Sequence, residues 1–310
     1  MRTLPASIPS PDPAWASFTL GPVTIHTYAL CIIAGIIAAV LITGRRLDRR
    51  GVDKGVVIDI ALWAVPLGIV AARFYHVFTH LGDYFSPGAN LWNVFAIWDG
   101  GNAIYGALIG GGLGAWIACR RAGLRFTAFA DALAPALLVA QAIGRLGNWF
   151  NQELFGLPTT VPWGLEISPD AAMFPDTLPA GTLFHPLFLY EMIWNLLGAA
   201  VIVLLERRLT LGWGRSLGIY FLWYGIGRAG LEAIRIDPTS NAPLGIPINV
   251  WTSIAVATLG ILILIVQTLR HREPEPSPYL PGREPMLPTT AELAIEEERV
   301  VPRQDQRSQE

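Results

Sequence analysis

The sequence predicts an all-α polytopic membrane protein with seven transmembrane helices, its N-terminus outside, its C-terminus cytoplasmic and a small extracytoplasmic head. Three observations carry this expectation. Of 310 residues, 52% are hydrophobic and only 15% are charged, whereas a soluble domain of this size carries about 25% charged residues. Seven apolar segments each come close to the roughly 17–25 residues that a helix needs to cross the hydrocarbon core. Basic residues collect in alternate loops between those segments.

The segments fall at 24–44, 56–78, 103–119, 126–144, 185–205, 216–235 and 248–269, the third being the shortest. They are read as helices because lipid offers no partner to a free backbone N–H or C=O. Arg45, Arg46, Arg49, Arg50 and Lys54 follow the first segment, Arg120, Arg121 and Arg125 the third, and Arg207, Arg208 and Arg215 the fifth. The other side comprises residues 1–23, 79–102, 145–184 and 236–247 and contributes only Arg2 and Arg145. The positive-inside rule makes the basic side cytoplasmic.

Three regions follow. Residues 1–23 form an extracytoplasmic segment with no basic stretch ahead of an apolar core, so no cleaved signal peptide is expected. Residues 24–270 form the seven-helix domain, with a long Pro-containing outer loop at 145–184 that caps it. Residues 271–310 are rich in Pro and Glu and poor in aromatics, which predicts a disordered cytoplasmic tail. Eleven Trp suit membrane-interface belts. The net charge of −2 offers nothing to nucleic acid. Cys31 and Cys119 lie inside apolar segments and read as small buried residues.

Ionisable residues inside apolar segments are costly and mark functional sites by default. Given the topology, Arg73 and His76 lie near the outer end of the second segment, Arg145 at the outer end of the fourth, and His185, Tyr190 and Glu191 at the outer start of the fifth. Arg228, Glu232 and Arg235 fall in the outer half of the sixth. Only Asp59 and Asp131 lie toward the cytoplasmic side. Tyr224, Arg228 and Glu232 are spaced i, i+4, i+8, which puts them on one helical face. That face is either an Arg–Glu–Arg packing network or an anion site. Two arginines against one glutamate leave positive charge, and planar guanidinium forks match phosphate oxygens.

The stretch Gly144-Arg145-Leu146-Gly147-Asn148-Trp149-Phe150-Asn151-Gln152-Glu153-Leu154-Phe155-Gly156 ends a helix and opens the long outer loop. Its glycines permit tight turns and close backbone approach, and its dense polar set at a membrane exit favours a head-group and substrate site over a plain connection. The glycine run at 100–112 lacks the Lys-Ser/Thr ending of a nucleotide loop. Gly106 and Gly110 are instead expected to let two helices pack closely, with Tyr105 at the outer end the residue nearest substrate. His26, His76 and His80 have no metal-ligand spacing.

These residues resemble a known family. The 144–156 stretch is similar to the signature of the prolipoprotein diacylglyceryl transferases. Trp98-Asp99-Gly100-Gly101, His185-Pro186 with Leu189-Tyr190-Glu191, and Tyr224-Gly225 with Arg228, Glu232 and Arg235 match in the expected order over roughly residues 20–270. The resemblance implies transfer of a diacylglyceryl group from phosphatidylglycerol to the lipobox cysteine of a preprolipoprotein, with glycerol phosphate released and no metal or cofactor required. It implies a seven-helix fold with a central cavity open to the bilayer. By this likeness Arg145, Asn148, Glu153 and Gly156 match positions tied to activity, Arg228 and Glu232 a further essential pair, and Tyr28 a tyrosine at the outer start of the first helix. Asn151 and Arg235 join them as substrate-binding candidates.

The sequence departs from the family at Tyr105, where well-studied members have a histidine proposed as base. A tyrosine with a pKa of about 10 is a poor base at neutral pH, so Tyr105 is expected to position substrate. The nucleophile is the substrate's own cysteine, so the protein needs none. Arg145 and Arg228 are assigned to the leaving phosphate with Asn148 as a neutral donor. Glu153 or Glu232 either orients the arginines or accepts the proton. A transporter and a non-catalytic lipid-binding scaffold are the rival readings; charge gathered at one leaflet rather than the midplane counts against transport.

Overall fold

The structure is a computed structural model that describes residues 7–21, 23–97, 100–101, 103–236 and 243–284. Trp98, Asp99, Asn102, Arg2 and the tail from 285 onward lie outside the described residues. Among the described residues are eight α-helices: α1 (Thr27–Asp48), α2 (Val56–Thr79), α3 (Leu81–Phe85), α4 (Ile104–Arg121), α5 (Phe126–Phe150), α6 (Leu187–Arg208), α7 (Arg215–Glu232) and α8 (Ile248–Arg270). Seven of them coincide with the apolar segments, and α3 is a five-residue turn after α2. Five, namely α1, α2, α5, α6 and α8, are long and apolar enough to cross a membrane. The other two long helices, α4 and α7, have 18 residues each; glycines dilute the hydropathy of α4, and Arg228 and Glu232 lower that of α7.

The packing is inverted relative to a soluble protein. Ile33, Ile37 and Leu41 on α1, Ile58, Leu62 and Ile69 on α2, and Ile254, Leu262 and Ile265 on α8 are all exposed. Apolar belts of this extent need a lipid or protein partner. The centre is α5, whose Ala128, Ala132, Ala134, Ala136 and Leu138 are fully buried. Its run of alanines lets α1, α6 and α7 approach it closely. Glycines do the same elsewhere. A Cβ at Gly106, Gly110 or Gly114 would come within 2.3–2.6 Å of a carbonyl oxygen of α2, at Ala71, Leu67 and Trp63 respectively. The expected role of Gly106 and Gly110 in close packing therefore holds.

The end of the bundle that carries the basic loops is pinned by buried and part-buried polar contacts. Asp131 accepts hydrogen bonds from the backbone N–H of Gly214 (2.8 Å) and Leu217 (3.1 Å) at the N-terminus of α7. Arg46 clamps both oxygens of Glu206 at 2.8 and 2.7 Å, and Ser216 donates to the same carboxylate at 2.6 Å. The tail expected to be disordered from residue 271 is packed as far as 284. Arg125 N–H donates to Pro278 C=O (2.8 Å), Leu280 N–H to Gly123 C=O (2.7 Å), and Tyr279 is buried against Leu47, Leu124 and Phe129. One aromatic anchor in a Pro/Glu-rich stretch is invisible to average composition.

The opposite end carries a small head that contains the β-strands found among the described residues. Strands β1 (Ser17–Leu20) and β2 (Val23–His26) form an antiparallel hairpin, and β3 (Leu165–Glu166) pairs with β4 (Leu183–Phe184). Residues 7–11 lie along the 145–184 connection. Ile8 N–H donates to Gly164 C=O at 2.8 Å, Trp149 Nε1 to Pro9 C=O at 3.2 Å and Gln152 Nε2 to Pro11 C=O at 2.9 Å. Phe155, Leu165, Ile167, Phe184 and Phe188 form its apolar core.

Candidate functional site

The signature stretch is mostly helix, not loop. α5 continues to Phe150, so Arg145 and Asn148 stand on its last turns and the irregular connection begins only at Asn151. The tight turn is made without glycine: Gln152 and Leu154 have positive φ, at 51° and 56°. Non-glycine residues in this conformation carry strain, which a well-packed functional segment can hold. The motif glycines serve close approach instead. A Cβ at Gly147 would lie 2.6 Å from Cδ2 of Tyr28, and one at Gly156 would lie 2.7 Å from Cβ of His185.

A continuous polar network runs from this stretch to α7. Asn151 and Asn148 both donate to Glu153 Oε1, at 3.3 and 2.8 Å. Asn148 in turn accepts from Arg145 Nη1 at 2.9 Å. Arg145 pairs with Glu191 of α6, and the other oxygen of Glu191 lies 3.7 Å from Arg228 Nη1. Arg228 reaches Glu232 at 2.9 Å, and Glu232 also meets Arg235 at 3.8 Å and Asn249 at 3.1 Å. Glu191 is thus the keystone that joins the signature stretch to the Arg228–Glu232 face. The sequence places it at the right level but gives no sign that it bridges two arginines. The α7 face keeps its two arginines against one glutamate, and the wider network with Arg145, Glu153 and Glu191 balances three arginines with three glutamates.

The positive bias survives where it matters. A cavity of about 380 Å³ opens between α1, α5, α6 and α7, and Tyr28, Arg145, Asn148, Glu191, Tyr224 and Arg228 line it. Its wall therefore carries two arginines against one glutamate, while Glu153, Glu232 and Arg235 stand behind as supports. The Glu232 side chain is fully buried and Asn148 is 4% exposed. Ile32, Ile36, Leu137, Trp194 and Leu231 are apolar parts of the remaining wall, which Gln141 and Asn195 interrupt with uncharged amides. The arrangement offers two fixed guanidinium forks and a carboxamide at the mouth of a greasy pocket, suited to a phosphate with hydrocarbon attached.

The remaining candidates divide. Asn151, Glu153, Arg235 and Gly156 belong to the supporting layer. Gly156 is hydrogen-bonded to His185 C=O at 2.9 Å and bridges to Arg235. Tyr105 is not brought into the cavity. It is 43% exposed beside Tyr75, with ring centroids 6.1 Å apart, while its neighbour Ile104 reaches the lining. Among the described residues no group of three or more His, Cys, Asp or Glu has metal-site geometry.

Comparison with known proteins fits this geometry. The family model described as prolipoprotein diacylglyceryl transferase matches residues 16–266. A phosphatidylglycerol–prolipoprotein diacylglyceryl transferase of Leifsonia xyli subsp. xyli is 60% identical over 93% of this chain and 89% of its own length. Its namesake from Bifidobacterium adolescentis is 48% identical over 83% of this chain and 79% of its own length. A Streptomyces coelicolor relative, named as the second such transferase, is 47% identical over 84% and 81%. With the matched region spanning the cavity, the network and five apolar helices, the chain belongs to the prolipoprotein diacylglyceryl transferase family.

Proposed function

We propose that the chain transfers the diacylglyceryl group of phosphatidylglycerol to the lipobox cysteine thiol of a prolipoprotein, forming a thioether and releasing glycerol phosphate. One observation carries the reading: Arg145 and Arg228, from different helices, line a single apolar-walled cavity and are held apart and oriented by Glu191. The names of the relatives supply both substrates.

In this reading the substrate sulfur attacks the glyceryl carbon that bears the phosphate ester. The C–O bond breaks, its electron pair leaves on the phosphate oxygen, and the thiol proton ends on the departing phosphate monoester. Arg145 and Arg228 stabilise charge as it builds on that oxygen, with the Asn148 carboxamide as a neutral donor; fixed donors in a water-poor site are the largest available source of such stabilisation. Glu153 and Glu232 hold these donors in place from behind. Glu191 is the carboxylate on the wall itself, and Tyr28 seats the acceptor side. Tyr105 acts at the rim on substrate entry.

The basic end is cytoplasmic and the head extracytoplasmic, with all seven long helices crossing the bacterial cytoplasmic membrane. α4 and α7 cross despite their lower apolarity, because Gly106, Gly110 and Gly114 of α4 pack on α2 and, in α7, Arg228 lines the cavity while Glu232 is buried behind it rather than facing lipid. The network then sits at the outer leaflet, where the phosphate of phosphatidylglycerol lies. To test this, purified protein is mixed with phosphatidylglycerol micelles and a lipobox peptide, without any ion gradient. The peptide should gain one diacylglyceryl mass, and a Cys→Ser peptide should gain none. An unmodified cysteine peptide alongside folded protein would contradict the reading.

A further inference from the structure

Below the charged layer the cavity contains a second, neutral polar layer. Gln141 on α5 is four residues before Arg145, Asn195 on α6 is four residues after Glu191, and Tyr224 on α7 is four residues before Arg228; all six line the cavity. The chain direction makes each of these steps lead away from the head. Three helices thus descend together by one turn, about 6 Å, from an ionic tier to an uncharged one.

The lower tier is incompletely satisfied from within the protein. Asn195 is 6% exposed, and its carboxamide makes no hydrogen bond to a described residue. Gln141 Nε2 donates to Tyr220 Oη at 2.9 Å while its Oε1 is buried without a partner. The Nε2 group carries two N–H donors, so one remains for a further acceptor while the other is held by Tyr220. Buried carboxamides are ordinarily paired, and each exception calls for an explanation. Gln141 also joins α5 to α7 through the buried Tyr220 hydroxyl, whereas Leu137 and Ile36 show that apolar side chains otherwise fill this part of the wall.

On the reading of the site as a phosphatidylglycerol site, we propose that Gln141 and Asn195 donate hydrogen bonds to the ester carbonyls of the lipid's glyceryl unit. A phosphate held by Arg145 and Arg228 puts the ester-bearing part of the glyceryl one unit deeper, at this tier. Ester carbonyls accept and never donate, which suits carboxamide N–H groups. The tier thereby fixes the depth of the reacting carbon beneath the leaving oxygen and selects diacyl over dialkyl glycerophospholipids. Gln141 and Asn195 are positioning residues; they do not touch the bond that breaks.

The test compares diester phosphatidylglycerol with its diether analogue, whose head group and chains are the same but which has no carbonyls. Transfer to a lipobox peptide is measured with wild type, Gln141→Leu, Asn195→Leu and the Asn195→Asp control. One ordinary hydrogen bond to a neutral acceptor corresponds to up to about tenfold in rate. Wild type should therefore use the diester up to about tenfold better per donor. Each Leu variant should lose that preference by slowing on the diester while keeping its diether rate, and Asn195→Asp should lose it as well. A structural role would slow both lipids equally and leave the ratio unchanged, which overturns the inference. Equal use of both lipids by wild type overturns it too, while leaving the transferase reading intact. Failure of wild type on both lipids refutes that reading instead.

Discussion

At the scale of single residues, the account rests on guanidinium geometry. Arg145→Lys and Arg228→Lys keep the charge and lose the fork. Each should lower turnover by about 10²–10³, by analogy with removal of one preorganised donor, while thermal stability measured on the same samples stays near wild type. Parallel loss of folded protein and activity would instead make these arginines packing residues. Glu191→Gln keeps the shape of the keystone but removes the charge that two arginines share. Loss of a charged hydrogen bond is worth about 1.5–3 kcal/mol, so initial rates should fall at least tenfold. Tyr105→Phe should keep most of the activity, since the ring lies off the cavity beside Tyr75; a loss of several orders of magnitude in folded protein would restore Tyr105 to the chemistry. Much of this layer was legible in the sequence. Arg145, Arg228 and Glu232 stood out as charges in or at the ends of apolar segments, and Asn148 and Glu153 through the dense polar stretch that resembles the family signature. Glu191 carried the same signal, but its role as a bridge depends on the angle between α5, α6 and α7, which no spacing encodes. The same limit hid Gln141 and Asn195, because an uncharged amide in an apolar run is a weak signal until a cavity is seen beside it.

At the scale of elements, α6 and α7 are locked by a reciprocal tryptophan clasp that sets the Glu191–Arg228 separation. Trp194 Nε1 donates to Trp223 C=O at 3.1 Å, Trp223 Nε1 donates to Trp194 C=O at 2.9 Å, and the rings stack at 4.4 Å. The clasp fits only because Gly198 and Gly227 leave room. A Cβ at Gly227 would sit 2.1 Å from Trp194 Nε1, whereas one at Gly230, in the same helix, would meet nothing within 4 Å. Gly227→Ala should therefore destabilise by about 1–3 kcal/mol through overpacking. Gly230→Ala should be neutral or stabilise by up to about 1 kcal/mol through helix propensity. Thermal unfolding of the two purified variants checks the contrast, and equal melting temperatures would refute the clasp. The helix limits were readable to within a few residues from hydropathy alone, except at the end of α5. There the polar signature looked like a loop, because charge at a membrane exit and charge in a connection have the same composition. The anchoring of Tyr279 was unreadable for a related reason: one aromatic in a Pro/Glu-rich stretch does not alter its average.

At the scale of the whole molecule, the polar groups are sorted to two ends and the apolar belt lies between. The part-buried Arg46–Glu206 pair and the buried contacts of Asp131 with α7 close one end, and the cavity and head occupy the other. Reporter fusions after residues 50, 122 and 210 should all report cytoplasm, and an external signal from any of them would invert the membrane orientation and move the site to the wrong leaflet. Function and orientation meet in one measurement. The protein is reconstituted into sealed phosphatidylglycerol vesicles, its orientation is fixed by protease access to the C-terminal tail, and lipobox peptide is supplied on one side only. The account predicts diacylglyceryl transfer when the peptide is on the side opposite the tail and none when it shares the tail's side. Transfer on the tail's side, or on neither side with folded protein, would contradict it.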